Sequence, residues 1–414
     1  MWVREHNLAV LLSYLWEAGG PIARARLTEI SGLNKSTVGS LLAQLQAWGF
    51  VKETGLSSAH PGRPGVILDL DPGAGRIIGV EIGVGFISII VTDWKAGVVW
   101  QRKVDTTDNA QAQVLSQAET LVQEAAQHVA ESGHRLFGIG LGVPGLVDRA
   151  SGTLLFAPNL EWRDVSLRDP WQRRFGVPVV VENEANAAAL GEHMLGVARQ
   201  ADNFVYISAG VGLGGGLMID GKLYGGAGGF AGEIGHMTIE PNGPQCKCGN
   251  RGCWETLVGP TAILERARRA AAEGLTPRLL TMSGGDPDVI RMEHILQAAA
   301  EGEAAVLDDL SEAGRYLGMG IANMVNAFNP SLVVLGGVLS LAGPYILPRA
   351  QQEVEARALS AARQGVTIVV SAFKFDACVM GSVSLIMREI LSNPTAWQPE
   401  VPQRGPGELL SSVL

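Results

Sequence analysis

The stretch Ile77-Ile-Gly-Val-Glu-Ile-Gly-Val-Gly-Phe-Ile-Ser-Ile-Ile-Val-Thr-Asp93 predicts two β-strands joined by a glycine bend. A similar segment follows later in the chain. Aligning Glu81 with Ser208 pairs Gly83 with Gly210, Val84 with Val211, Gly85 with Gly212 and Asp93 with Asp220. The pattern indicates an internal duplication and two lobes with a ligand cleft between them, although glycines in strand bends are also ordinary turn chemistry.

Around these hairpins, short β-rich runs alternate with Ala-rich helical segments, which indicates an α/β architecture. The chain has 414 residues, 47% hydrophobic and 18% charged, which is enough for two or three compact domains. No segment approaches the roughly 18 unbroken apolar residues of a membrane helix. The amino terminus lacks the pattern of a secretory signal, so we expect a cytoplasmic protein with no membrane partner.

The amino-terminal segment is more basic than the chain average. The net charge is -9 overall, yet residues 20–63 carry five basic and two acidic residues. Helical spacing predicts helices over residues 5–18 and 23–30 and a third that starts at Asn34, whose side chain can cap it. The apolar stripe of the third helix comprises Val38, Leu41, Leu42, Leu45 and Trp48.

Short polar side chains on the opposite face of the third helix have the size and chemistry to approach phosphates and base edges. Residues 50–54 and 65–70 are expected to pair as a wing after it, with an arginine near the wing tip. The predicted DNA-binding residues are Arg24, Lys35, Ser36, Thr37, Ser40, Gln44 and Arg63. A winged helix-turn-helix is favoured over the alternative, a three-helix dimerisation or packing module.

Several motifs spread over the rest of the chain resemble those of the ROK family, named for repressors, open reading frames and sugar kinases. They are Gly142-Val-Pro-Gly-Leu-Val-Asp148, Pro158-Asn-Leu160, Glu182-Asn-Glu-Ala-Asn186, the glycine-rich residues 210–216 and Glu233-Ile-Gly-His236 before a cysteine cluster. The resemblance implies a two-lobed actin-like, ribonuclease-H-like ATPase fold. We therefore expect a winged helix-turn-helix domain over residues 1–71, a first α/β lobe over 72–180 plus 381–414, and a second over 181–380.

The cysteine cluster predicts a metal site. Cys246, Cys248 and Cys253 form a Cys-x-Cys-x4-Cys pattern, and His236 lies ten positions before it. Three thiolates and one imidazole match a closed tetrahedral site, so we expect structural zinc. Free core thiols or a disulfide are the alternatives.

The ROK resemblance also implies a monosaccharide site, in which carboxylates and amides read the sugar hydroxyls. The predicted sugar-binding residues are Asn159, Asn183, Glu184, Glu233, His236 and Glu255. For Asn183 and Glu184 there is a second interpretation, the start of a helix, and both can hold together.

Four positions depart from the pattern of ROK kinases. Glu184 replaces the catalytic aspartate and Glu81 the phosphate-loop aspartate, while Phe86 and Ala209 replace small polar residues. An extra methylene misplaces a catalytic base, and the last two changes remove ATP contacts. These departures argue against ATP as a cofactor and against an enzyme.

The sequence therefore predicts a sugar-responsive transcriptional repressor of a sugar-utilisation operon, which binds a monosaccharide without phosphorylating it. We expect a homodimer or a dimer of dimers on operator DNA. Xylose and glucose are the favoured sugars by resemblance, with N-acetylglucosamine behind them. One alternative is an ATP-dependent sugar kinase with an autoregulatory DNA-binding domain. Another is a zinc-braced module that docks to a transport protein.

Overall fold

The computed structural model describes residues 2–57 and 65–399. The predicted wing tip with Arg63, and residues 400–414 of the expected first lobe, lie outside the described residues. Within the described part of the chain, no helix is both long enough and apolar enough to span a membrane.

The first domain, called here the head, contains three helices and a small sheet. Its elements are α1 (Trp2–Glu17), β1 (Ile22–Ala23), α2 (Arg24–Ser31), α3 (Lys35–Ala47), β2 (Val51–Ser57) and β3 (Gly65–Leu70). Asn34 caps α3 by accepting a hydrogen bond from the Thr37 amide at 2.8 Å. The antiparallel pair of β2 and β3 forms the predicted wing, and β1 adds to the outer edge of β3.

Two five-stranded sheets form the body of the molecule. The first half contains β4 (Arg76–Gly83), β5 (Phe86–Asp93), β6 (Val98–Asp105), α4 (Gln111–Glu131), β7 (Leu136–Val143), β8 (Leu146–Asp148), β9 (Thr153–Ala157), β10 (Trp162–Ser166), α5 (Arg168–Phe175) and β11 (Val179–Asn183). The strand order is β11-β7-β4-β5-β6, and β8 to β10 form a separate three-stranded sheet.

The second half repeats this plan with larger helical insertions. It contains α6 (Glu184–Leu195), β12 (Phe204–Ala209), β13 (Leu213–Ile219), β14 (Lys222–Leu223), α7 (Glu255–Val258), α8 (Pro260–Ala272), α9 (Pro277–Met282), α10 (Met292–Ala300), α11 (Ala304–Phe328), β15 (Leu332–Gly337), α12 (Val338–Arg357), α13 (Ser360–Arg363), β16 (Thr367–Val370) and α14 (Ala377–Ser392). Its sheet order is β14-β13-β12-β15-β16. In both sheets an antiparallel hairpin leads into two parallel strands, which confirms the predicted duplication and the two-lobed α/β fold.

Helices α6 and α14 cross between the two sheets at very short range. A Cβ atom at Gly381 would lie 1.9 Å from the carbonyl oxygen of Ala187, so only glycine permits this approach. Helix α14 packs on β4 and β7 and also contacts α1 of the head. The expected lobe boundaries fall inside β11 and α14, and the division of the chain into these domains stays a prediction.

Aromatic rings join the head to the first lobe. Phe50 of the head lies 5.4 Å from Trp94 and 5.6 Å from Phe137, measured between ring centroids. The Arg135 guanidinium lies 4.4 Å from the centroid of the Phe137 ring. The three rings are buried, so the head is packed onto the lobe rather than held by a free linker.

Candidate functional site

A cavity of about 370 Å³ lies between the lobes, and all six residues predicted to bind sugar line it. They come from separate parts of the fold: Asn159 follows β9, Asn183 ends β11, Glu184 begins α6, Glu233 precedes and His236 ends a short 3-10 turn, and Glu255 begins α7. The cavity has the size of a small-molecule site. The fold thus gathers polar side chains that are almost 100 positions apart in the sequence.

Asn183 has a structural role within this cavity. Its Oδ1 accepts hydrogen bonds from the amides of Ala185 and Asn186, at 2.9 and 3.2 Å, and so caps α6. Its Nδ2 donates to the carbonyl oxygen of Gly145 at 2.9 Å. The helix-start interpretation therefore holds for Asn183, and the same bonds fix its side chain against the cavity wall.

Burial changes the protonation of the cavity carboxyl groups. It raises the pKa of Glu184 to about 7, with a further contribution from the nearby charge of Glu233. Burial also raises the pKa of Glu233, which His236 opposes and Glu255 reinforces. Near neutral pH, Glu184 exists in both forms, so it can donate as well as accept a hydrogen bond from a hydroxyl group.

The sequence analysis missed several residues of the cavity lining. Glu182 is buried and pairs with Arg149, with 2.5 Å between Arg149 Nε and Glu182 Oε2. Phe156 and Phe230 contribute aromatic rings, and Lys247 reaches the cavity from between two of the cysteines. Glu182 stands in the quoted Glu-Asn-Glu motif, which was the available signal, whereas no local pattern marks the two phenylalanines.

The predicted metal ligands form one cluster. One ligand atom from each of His236, Cys246, Cys248 and Cys253 lies within 4.8 Å of the others. The Sγ atoms of Cys248 and Cys253 are 3.7 Å apart, as are Cys246 Sγ and His236 Nδ1. Tetrahedral zinc with Zn–S bonds of about 2.3 Å requires S–S separations of about 3.8 Å, whereas a disulfide requires about 2.05 Å. The donor set and spacing fit a structural metal, and the two thiols are not joined as a disulfide in this structure.

Glu255 connects this cluster to the cavity. Its Oε1 lies 3.0 Å from Cys246 Sγ and 3.4 Å from His236 Nδ1. Because Nδ1 faces the cluster, the ring nitrogen left to meet a carboxylate is Nε2, which lies 3.9 Å from Glu233 Oε2; a carboxylate in that place can orient the imidazole of a metal-binding histidine. The metal cluster and the sugar cavity share His236 and Cys248, and Glu255 contacts the cluster from the cavity wall.

A second cavity, of about 310 Å³, lies beside the hairpins, and the four positions that depart from the kinase pattern line it. The Phe86 ring folds over the strand end, since a Cβ atom at Gly83 would lie 2.2 Å from it. Lys103 Nζ lies 4.3 Å from the centroid of this ring. Burial raises the pKa of Glu81 to about 8, with a contribution from Glu184. An aromatic ring and buried carboxyl groups are poor surroundings for a polyphosphate.

The polar face of α3 contains the predicted DNA-binding residues. Lys35, Ser36 and Ser40 are exposed, whereas Thr37 and Gln44 are half-buried; the Ser36 hydroxyl donates to Asn34 Oδ1 at 2.7 Å. Arg24 on α2 is exposed and its guanidinium packs against Gly39 of α3.

Arg4 of α1 is a further basic residue at this face, and the sequence analysis missed it. Its guanidinium donates to Gln44 Oε1 at 2.7 Å and to Ser40 Oγ at 3.2 Å. The two partners lie about 40 positions away in the sequence, so local patterning gave no signal for this contact.

Two family models match separate parts of the chain. Residues 77–389 match the ROK family, and residues 7–55 match the IclR helix-turn-helix domain. The first match covers most of the chain and both five-stranded sheets.

Individual relatives include regulators and kinases. The chain is 35% identical over 374 residues to a xylose repressor of Caldicellulosiruptor bescii, covering 90% of this chain and 93% of the relative. It is 38% identical to a glucokinase of Streptomyces coelicolor, but over 277 residues, or 66% of this chain and 85% of the relative. The crystal structure of a ROK family transcriptional regulator, a homolog of the E. coli MLC protein, superposes with a TM-score of 0.82 at 30% identity, covering 94% of this chain and 97% of that one.

Proposed function

The chain belongs to the ROK family, and we propose that it is a sugar-responsive transcriptional repressor. The observation that carries the proposal is that one chain holds both a docked helix-turn-helix head and an interlobe cavity lined by six polar groups. The regulators among its relatives align over nine-tenths of the chain, head included. The glucokinase aligns over two-thirds of it.

The head supplies the DNA contacts in this proposal. Lys35, Ser36 and Ser40 on the exposed face of α3 enter a major groove, and Arg4 and Arg24 beside them face phosphates. Thr37 and Gln44 belong to the same proposed surface, and Arg63 stays a sequence-based prediction of a further DNA contact. Two heads of a homodimer occupy two half-sites of an operator, and a dimer of dimers is the next larger assembly.

The interlobe cavity binds the sugar. Asn159, Asn183, Glu184, Glu233, His236 and Glu255 offer the mixture of donors and acceptors that reads hydroxyl groups, and the rings of Phe156 and Phe230 cover apolar faces of a sugar. Xylose is the first effector to test because the repressor relatives are named for it, and glucose is the second. We place the protein in the cytoplasm with its operator.

Zinc is the proposed occupant of the His236, Cys246, Cys248 and Cys253 cluster. Four protein ligands leave no open position for water, so the metal braces the loop rather than taking part in chemistry. By fixing the His236 ring, the cluster holds one sugar-binding side chain in place.

The second cavity supports the proposal that the protein senses a sugar without phosphorylating it. The Phe86 ring lies over the end of β4, and Glu81 and Glu184 put two carboxyl groups near the place where a kinase of this family holds phosphates. Sugar binding is then used to shift the balance between lobe arrangements. Its effect on DNA affinity is limited to the difference in sugar affinity between the DNA-competent and incompetent states.

The test combines three measurements on the zinc-loaded protein. Calorimetry against xylose, glucose and N-acetylglucosamine identifies the sugar, and mobility shifts on operator fragments selected from genomic DNA show whether that sugar releases the DNA. ATP consumption is measured on the same sample. Glu233→Ala should abolish sugar binding and derepression but retain DNA binding, while Glu273→Ala, which removes an exposed carboxylate outside the lining of the cavities, should leave all three unchanged.

A sugar kinase with an autoregulatory head is the second candidate, favoured by the glucokinase relative and by the carboxyl group that Glu184 keeps at the base position. Sugar-dependent ATP turnover would establish it. Operator binding with no response to any sugar would instead favour a zinc-braced docking module.

A further inference from the structure

A third cavity, of about 500 Å³, adjoins the sugar cavity on the side of the cysteine loop, α8 and α11. The two cavities share four lining residues: Asn159, Gly212, Lys247 and Glu255. Two of these are predicted sugar-binding residues. The sugar site therefore continues beyond the space that its six polar groups enclose.

The passage between the two cavities is lined by Gly212 and two polar side chains. A Cβ atom at Gly212 would lie 2.6 Å from Glu255 Oε2 and 3.8 Å from Asn159 Nδ2. Glycine at this position leaves the space that any larger residue would fill. The carboxylate and the amide thus face the point where a ligand in the first cavity would enter the third.

The lining of the third cavity combines an aromatic residue with hydrogen-bonding groups. Tyr316 supplies the aromatic ring; Arg315, which does not line the cavity, stacks on this ring 4.1 Å from its centroid and pairs with Glu312 at 2.6 Å. The charged side chains of the lining are four acidic ones, Glu240, Glu255, Glu265 and Glu312, and three basic ones, Lys247, Arg266 and Arg269. Acidic and basic groups nearly balance, so the lining suits a neutral, hydroxyl-rich ligand better than a nucleotide or another polyanion.

Three of these charged side chains have no partner among the residues that the structure describes. In the part of the chain that the structure describes, no hydrogen bond or ion pair engages the side chains of Lys247, Glu265 or Arg269. Glu265 and Arg269 lie four positions apart on α8, the spacing at which such residues commonly pair. Their unused donors and acceptors line the cavity and are available to a ligand.

We propose that the third cavity is a second sugar subsite, and that the effector is a neutral disaccharide or short glycoside. Its first unit lies among the six residues of the interlobe cavity, and its second lies beyond Gly212 beside Arg269 and Tyr316. This inference rests on the proposed function and specifies the class of effector for it.

Calorimetry with matched pairs of sugars tests the proposal on the full-length, zinc-loaded protein. The pairs are xylose with β-1,4-xylobiose, and glucose with cellobiose and with maltose. We expect at least one disaccharide to bind tenfold or more tightly than its monosaccharide. Arg269→Ala and Glu265→Ala remove exposed side chains of the third cavity. Each should lower the affinity for that disaccharide at least fivefold and leave the affinity for the monosaccharide unchanged.

Control variants separate the inference from the proposed function. Arg173→Ala removes an exposed arginine distant from the cavities and should leave all affinities unchanged. Glu233→Ala should lower the affinity for both the monosaccharide and its matched disaccharide. Two results would overturn the second subsite and leave the sugar sensor intact. In one, a monosaccharide binds and the disaccharide binds no more tightly; in the other, the disaccharide binds more tightly but keeps this higher affinity in both α8 variants. Failure of every sugar to bind overturns both.

Discussion

Replacing Glu81 with glutamine should make the protein less sensitive to alkaline pH. Glu81 lies on β4 and is only 8% exposed, and its Oε2 atom has no hydrogen-bond partner among the described residues. Burial, followed by the nearby charge of Glu184, raises its pKa from 4.5 to about 8. Glutamine has nearly the same shape but carries no ionisable group.

The sign of the effect follows from proton linkage. Because the folded protein keeps the Glu81 proton where the unfolded chain has released it, the stability contributed by this group is fully present below pH 4.5. It decreases as the pH rises and is lost once the pH passes about 8. At about 1.4 kcal/mol per pKa unit, the wild type should lose about 2.5 kcal/mol relative to Glu81→Gln between pH 6 and pH 9.

Differential scanning calorimetry of both proteins at pH 6, 7, 8 and 9 measures the effect. A difference of this size shifts the melting temperature by several degrees. The melting temperature of the variant should therefore rise relative to that of the wild type as the pH increases. Glu273→Gln, at an exposed carboxylate, serves as the control and should follow the wild type. Parallel curves for Glu81→Gln and the wild type would refute a buried carboxyl group with a raised pKa at this position.

Three further changes test other parts of the structure. Cys253→Ser should reduce the zinc content, measured by inductively coupled plasma mass spectrometry, from one ion per chain to almost none. It should also weaken sugar binding at least tenfold, because His236 loses its fixed orientation. A variant that keeps its full zinc content would contradict the proposed metal cluster. Arg24→Ala should weaken DNA binding equally for all sequences and reduce the slope of log affinity against log salt by about one, measured by fluorescence anisotropy; an unchanged slope would rule out a phosphate contact at Arg24. Gly381→Val should lower the free energy of unfolding by about 3 kcal/mol, because the valine side chain would clash with the Ala187 carbonyl oxygen. An unchanged denaturation midpoint would contradict the close crossing of α6 and α14.

Features encoded by neighbouring residues were predictable from the sequence. The β4–β5 hairpin follows from β-branched residues on both sides of Gly83 and Gly85, and its repeat at β12–β13 follows from the same spacing. The start of α3 follows from the cap at Asn34. The four metal ligands are also recognisable, since three of them lie within eight positions and their side-chain chemistry restricts what they bind.

Contacts between distant segments were not predictable in this way. Arg4 reaches α3 across about 40 positions, and the pair of Arg149 and Glu182 joins segments that are 33 positions apart. Periodicity reports which face of an element is apolar, but not which element covers that face. The third cavity is a further case, because α8, α11 and the cysteine loop create it only when they pack together.

The aromatic contact between head and lobe affects how the protein can be divided for experiments. A chain that starts after Asp71 would expose Trp94 and Phe137, two large rings that are at most 4% exposed in the intact chain. Contiguous apolar surface of this kind promotes self-association, so a truncated sugar-binding body would aggregate through it. Polar replacements at both ring positions would have to accompany the truncation before its sugar affinity could be compared with that of the whole protein.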